Sequence, residues 1–157
     1  MTNKIIVLAV ASIAVVGIFV VANSKDRSKQ QNVSDKNITV YLSPTCGCCK
    51  NYLSYLRSNG FSVDAKETSK ISDIKKENKV PSELESCHTS IINNYVVEGH
   101  IPFEVVNKLL AEKPNIRGIA LAQMPSGSPG MPGKKNSPFS IHSITSDGLD
   151  GGIYLEY

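Results

Sequence analysis

The sequence predicts an α/β domain with a central mixed β-sheet and flanking helices. Three observations predict it. Short β-rich runs alternate with stretches of helical spacing from Ile38 onward. Two apolar runs meet at Asn93-Asn94, a pair that tolerates the positive φ angles of a tight hairpin. And the cysteine pair Cys46 and Cys49, in "VYLSPTCGCCK", falls where the first strand gives way to the first helix.

The elements follow in order. "NITVYLS" is a short β-rich run, Ile38 to Leu42, ending at Ser43-Pro44. Cys49, Tyr52, Leu53 and Leu56 then fall on helical spacing, and Gly60 stands where a left-handed C-terminal cap belongs. "FSVDAKE" alternates like a strand, and "SKISDIKKENK" reads as a short amphipathic helix capped by Ser69 or Ser72. "TSII" and "YVVEG" form the hairpin. Pro102 suits the first turn of a helix whose apolar face is Val105, Val106, Leu109 and Leu110, with Pro114 past its end. Ile116 to Ala122 reads as a strand. A Pro/Gly/Ser loop, "MPSGSPGMPGKKNSP", leads to two closing strands, "FSIHSIT" and "GGIYLEY", around Asp147-Gly148. A β-α-β unit followed by a hairpin and a helix is the layout of the thioredoxin-like fold, in which a Cys pair opens the first helix.

Bulk properties narrow the function classes. A chain of 157 residues suits one domain with a real core. The net charge of +3 is small, and no basic stripe is present, so nucleic acid is not an expected partner. Four cysteines are too few and too unevenly spaced for a disulfide-dense scaffold. No Walker or dinucleotide loop and no hydrolytic triad is visible. Glu98, Asp64 and the other carboxylates fall on expected polar faces, and Lys75-Lys76 and Lys134-Lys135 read as solvated charges.

The N-terminus carries its own signal. "MTNK" precedes the uncharged run Ile5 to Ala22, and a polar linker, residues 23–37, follows. A short basic start and an apolar run describe a secretory signal peptide, with Val20 and Ala22 resembling a cleavage site. The run is also about the minimum length for a membrane-spanning helix, so an uncleaved anchor is the other option. Either places residues 38–157 outside the cytoplasm if the segment directs export. The alternative is an anchored protein that faces the cytoplasm.

The thiols admit three readings. At a helix start, Cys46 and Cys49 share a face near free N–H groups and the helix dipole, which favours a thiolate. That alone describes a thiol–disulfide oxidoreductase. Cys48 adds a competing partner that would scramble such a cycle. For a soft metal the same crowding is useful, since thiolates select Cu(I), Zn(II) or iron–sulfur clusters. Cys87, followed by His88 just before "TSII", enters a strand expected beside the first helix, so both residues can approach Cys46, Cys48 and Cys49. A structural disulfide from Cys87 to one of the others is the third reading. His100 in "VEGHIP" is a further candidate ligand, with a capping or surface role as its alternative. Met124 and Met131 offer soft thioethers from the flexible loop; the alternatives are a core cap for Met124 and a plain loop position for Met131. His142 reads as structural.

Taken together, "SPTCGCCK", "SCHTSIINNYVVEGHIP" and "QMPSGSPGMPG" resemble a bacterial family long labelled as a domain of unknown function, which includes the CopG-type periplasmic copper-resistance proteins. The resemblance spans residues 39–133. It implies a thioredoxin-like fold, export, and Cu(I) bound by the CxCC cysteines with the later Cys-His, in copper resistance or copper redox handling. By matching position it makes Cys46, Cys48, Cys49, Cys87 and His88 the metal-site residues, and His100 matches a motif position. The expected partners are copper ions and other copper-handling proteins.

Overall fold

The structure, a computed structural model, describes residues 36–157. The apolar run Ile5 to Ala22 and most of the polar linker lie outside the described residues. Among the described residues, no helix is long and apolar enough to cross a membrane.

Among the described residues, seven strands form one mixed sheet: β1 (Asn37–Leu42), β2 (Ser62–Glu67), β3 (His88–Ile92), β4 (Tyr95–Glu98), β5 (Gly118–Ala120), β6 (Ser140–Ile144) and β7 (Asp150–Glu156). Their spatial order is β2-β1-β3-β4-β5-β6-β7. The β1–β2 and β4–β5 pairs are parallel; the other four are antiparallel. Among the described residues, three α-helices flank the sheet, α1 (Gly47–Ser58), α2 (Ile71–Glu77) and α3 (Phe103–Glu112), with a short 3-10 turn at Ser82–Leu84. This bears out a mixed sheet with flanking helices.

Both faces of the central strands are covered, which explains why their sequences read as near-continuous apolar runs. On one face, Cys49, Tyr52, Leu53 and Leu56 of α1 and Val105, Val106 and Leu109 of α3 join Ile38, Val40, Leu42, Ile92, Val97 and Ile119 in one buried cluster. Each such side chain contributes about 1.5–3 kcal/mol of burial. On the other face Val80 and Leu84 pack with Val96, Ala120 and Ile144. The strand period of two sets neighbours apart. In β3, His88 faces Tyr52 of α1 while Thr89 faces Lys75 of α2. The register pairs Thr89 with Glu98 and Ser90 with Val97.

Turn chemistry is as expected at the hairpin, where Asn93 and Asn94 take φ of 46° and 70°, and after α1, where Gly60 takes 83°. Other details differ. Neither Ser69 nor Ser72 caps α2; its N-cap is Lys70, whose side chain has no acceptor and makes no cap bond, while Thr68 Oγ1 accepts the Lys70 N–H at 3.0 Å. Pro102 stands at the N-cap of α3, one residue ahead of its first turn. β5 is only three residues long. Lys75 is not a solvated charge and Glu98 is not on a polar face. They are 3% and 0% exposed and form a buried ion pair beneath the β3–β4 end of the sheet.

Candidate metal centre

The centre is built where β1 runs into α1. Cys46 is the N-cap of α1, its N–H bonded to Ser43 O at 3.0 Å, so its side chain sits at the mouth of the helix beside free backbone N–H groups. Three residues on, Cys49 lies on the buried face of the same first turn. Cys46 and Cys49 form a disulfide. Cys48 and Cys87 are free and half-buried, and Cys48 Sγ lies 3.5 Å from Cys46 Sγ.

The second half comes from the two ends of the hairpin. Cys87 and His88 enter β3, and His100 follows the exit from β4. Gly99 makes the approach possible: at φ +79° it turns the chain back, and a Cβ there would lie 2.6 Å from Leu121 O and 2.8 Å from Ser86 Cβ. Cys87 Sγ then sits 3.0 Å from His100 Nε2 and 3.3 Å from His88 Nδ1. Two groups of ligand atoms result, Cys46–Cys48–Cys49–Cys87 and Cys87–His88–His100, each within 4.8 Å of one another. Cys87 belongs to both.

The electrostatics favour neutral ligands. Burial, then the neighbouring His100 and Lys75, hold His88 well below the usual imidazole range. Burial also lowers His100, opposed by its bond to Pro129. His100 Nδ1 donates to Pro129 O at 2.6 Å, which leaves the Nε2 lone pair facing Cys87. His88 Nε2 has no hydrogen-bond partner. Burial, then Cys48, pushes the Cys87 thiol up to about 12. Behind the imidazoles, Tyr52 packs its ring 4.7 Å from His88 and 5.3 Å from His100 and donates its hydroxyl to Ile101 O at 2.9 Å.

A donor set of four sulfurs and two uncharged imidazoles suits soft or borderline metal ions. The family model described as "Protein of unknown function, DUF411" matches residues 84–131, the segment carrying Cys87, His88, His100 and the loop. No curated protein matches the chain. Two solved structures do. One titled "Copper resistance protein copG- Form 2" is 35% identical, with a TM-score of 0.71, covering 77% of this chain and 97% of that chain. "Copper resistance protein copG- Form 1" is 34% identical, with a TM-score of 0.72, covering 79% and 98%.

The chain belongs to the CopG-type family.

In this CopG-type chain the structure brings together Cys46, Cys48, Cys49, Cys87, His88 and His100. His100 is no surface residue, being fully buried. A disulfide from Cys87 to another cysteine is not what forms; the bond is between Cys46 and Cys49. Met124 is 46% exposed and Met131 half-buried, both on the loop. That loop lies against α1, where Asn51 Nδ2 donates to Gly130 O at 3.4 Å. His142 meets Asp150 Oδ1 at 2.9 Å in the β6–β7 hairpin, as a structural histidine does. Sequence reasoning missed Tyr52 and Pro129 as parts of the centre. Tyr52 showed itself only as one more buried position of α1, and Pro129 acts through a carbonyl, which no residue type advertises.

Proposed function

We propose that this chain is an extracytoplasmic, thioredoxin-like protein that binds Cu(I) for copper resistance or homeostasis, or for copper redox handling. The observation that carries the proposal is the convergence of both ligand groups on Cys87. A thiol shared by two sets of donors can bridge ions, and soft thiolates with neutral imidazoles favour Cu(I). The titles of the two related structures, both copper resistance proteins, support the same choice. Cys46, Cys48, Cys49 and Cys87 supply thiolates, His88 and His100 supply nitrogen, and Met124 is an added thioether candidate from the loop. Cys46 and Cys49 can take part only once a thiol reductant has supplied their disulfide with two electrons and two protons, and the thiols then release those protons to solvent as the metal binds. Export is supported by the uncharged run Ile5 to Ala22 behind Lys4, and a disulfide fits an oxidising compartment.

The test is an anaerobic Cu(I) titration of the reduced full-length chain against a strong chelator. Competitive uptake is expected. No uptake, or uptake unchanged when Cys46, Cys48, Cys49 and Cys87 are all replaced by Ser, sinks the proposal.

A second reading is favoured by the Cys46–Cys49 disulfide itself. It is a thiol–disulfide oxidoreductase in which the half-buried Cys46 exchanges with substrate and the buried Cys49 resolves. This reading expects metal-free turnover of a disulfide substrate.

A further inference from the structure

The Lys75–Glu98 pair is the largest charge feature in the interior, and neither residue belongs to the ligand set. Glu98 is fully buried. Its Oε1 accepts from the Ser86 N–H at 2.7 Å and from Lys75 Nζ, and its Oε2 accepts from Thr89 Oγ1 at 2.7 Å. Ser86 immediately precedes Cys87 and Thr89 immediately follows His88, so one carboxylate brackets the Cys87-His88 pair from both sides. Glu98 is also two residues before His100, joined to it by Gly99, whose N–H donates to His88 O at 3.1 Å. The two chain segments that carry Cys87, His88 and His100 are therefore tied to a single group.

We infer that Glu98, neutralised by Lys75, is a positioning residue that sets the Cys87-His88 arm against His100. The inference rests on the copper reading above. Glu98 faces the α2 side of the sheet, while His88 faces α1, so it acts through the backbone and touches no ligand atom. A carboxylate grips the Ser86 N–H more strongly than a neutral acceptor. Buried, it needs a counter-charge, and Lys75 supplies one while also donating to Thr89 Oγ1 at 3.2 Å. Stability alone does not call for the pair, since well-packed apolar residues of similar volume serve a core as well or better. Placement of the ligands does call for it.

Single substitutions would strand a buried charge, so the experiment uses two double variants that both remove it. Lys75→Met/Glu98→Gln keeps an amide oxygen for Ser86. Lys75→Met/Glu98→Leu keeps only volume. Circular dichroism and thermal melting check that both fold. In anaerobic Cu(I) competition on reduced full-length chains, the Gln double should stay within about threefold of wild type. The Leu double should lose about tenfold or more, the scale of losing a group that orients a metal ligand, and its Cu(I)–thiolate absorption should shift. Ser86→Pro, which lacks the N–H that Glu98 holds, gives an independent reading with the same expected loss. Wild-type uptake matched by the Leu double and by Ser86→Pro overturns this inference alone, as does equal loss in both doubles. If the wild-type chain takes up no Cu(I), the copper reading falls and this inference falls with it.

Discussion

Cys87 Sγ lies 3.0 Å from His100 Nε2, and His100 can meet it only through a lone pair, because Nδ1 is spent on Pro129 O. Without metal the contact is a thiol S–H donating to a neutral imidazole. With metal, the same two atoms are free to share an ion once the thiol proton leaves. His100→Ala should therefore weaken Cu(I) binding by about tenfold or more, since it removes both a nitrogen and the group that holds the Cys87 side chain. Anaerobic chelator competition checks this; unchanged affinity would remove His100 from the site.

The raised pKa of Cys87 predicts a pH dependence of the metal-free chain with its Cys46–Cys49 disulfide intact. In the folded state burial, then Cys48, pushes this thiol from an ordinary value near 9.0 up to about 12. Between those two values the unfolded chain has lost the proton and the folded chain still holds it. The unfolded state then binds fewer protons, so stability must fall as pH rises across that window and is fully present below it. Urea denaturation at pH 7 and pH 10 should show a larger loss for wild type than for Cys87→Ser. Equal losses would mean that the thiol is not protected.

Cys48 separates the two functional readings. It lies 3.5 Å from Cys46 Sγ but stays outside the Cys46–Cys49 disulfide. A copper centre needs its sulfur, so Cys48→Ser should cut Cu(I) affinity by about tenfold or more. An oxidoreductase that uses only Cys46 and Cys49 should keep its rate of disulfide turnover in the same variant. Retained turnover with retained copper affinity would favour the enzyme.

The disulfide predicts that metal loading is gated by reduction. As isolated under air, two thiols should react with a thiol reagent, those of Cys48 and Cys87. After reduction all four should react, and only that form should hold its full complement of Cu(I). Equal loading of both forms would show that Cys46 and Cys49 are not ligands.

The legible parts of this site were those set by local chemistry. Cys46 and Cys49 at a strand-to-helix junction, and Asn93-Asn94 between two β-rich runs, each carry a local rule that needs no tertiary knowledge. Even the approach of Cys87-His88 to the CxCC segment followed from the expected place of one strand beside one helix. What escaped were properties of the assembled molecule. Lys75 read as a solvated charge because its helix shows two adjacent lysines, and only packing on β3 decides that one of them is buried. Glu98 sits in an apolar run, but its partner is 23 residues earlier, on the helix that covers its face of the sheet. The burial of His100 depends on Gly99 turning the chain and on the loop folding back over it, and neither event leaves a periodic trace.

The loop's grip on His100 can be tested apart from the ligands. Gly130 takes φ +82°, and a Cβ there would lie 2.7 Å from Tyr52 N and 3.1 Å from Cys48 O, both backbone atoms of α1 that cannot step aside. Gly130→Ala must therefore lift the loop off the helix, which pulls the neighbouring Pro129 carbonyl away from His100 Nδ1. The imidazole then loses the bond that fixes its tautomer, and Cu(I) affinity should fall by about tenfold. Gly152 in β7 provides the control. Its φ of +81° is nearly the same, yet a Cβ there meets nothing within 4 Å. Gly152→Ala should cost only backbone strain, about 1–2 kcal/mol, and leave copper affinity alone. Chemical denaturation and chelator competition on both variants separate the two effects. If Gly130→Ala loses more stability than Gly152→Ala, as a lifted loop requires, and still binds Cu(I) as tightly as wild type, the Pro129 carbonyl does not orient His100.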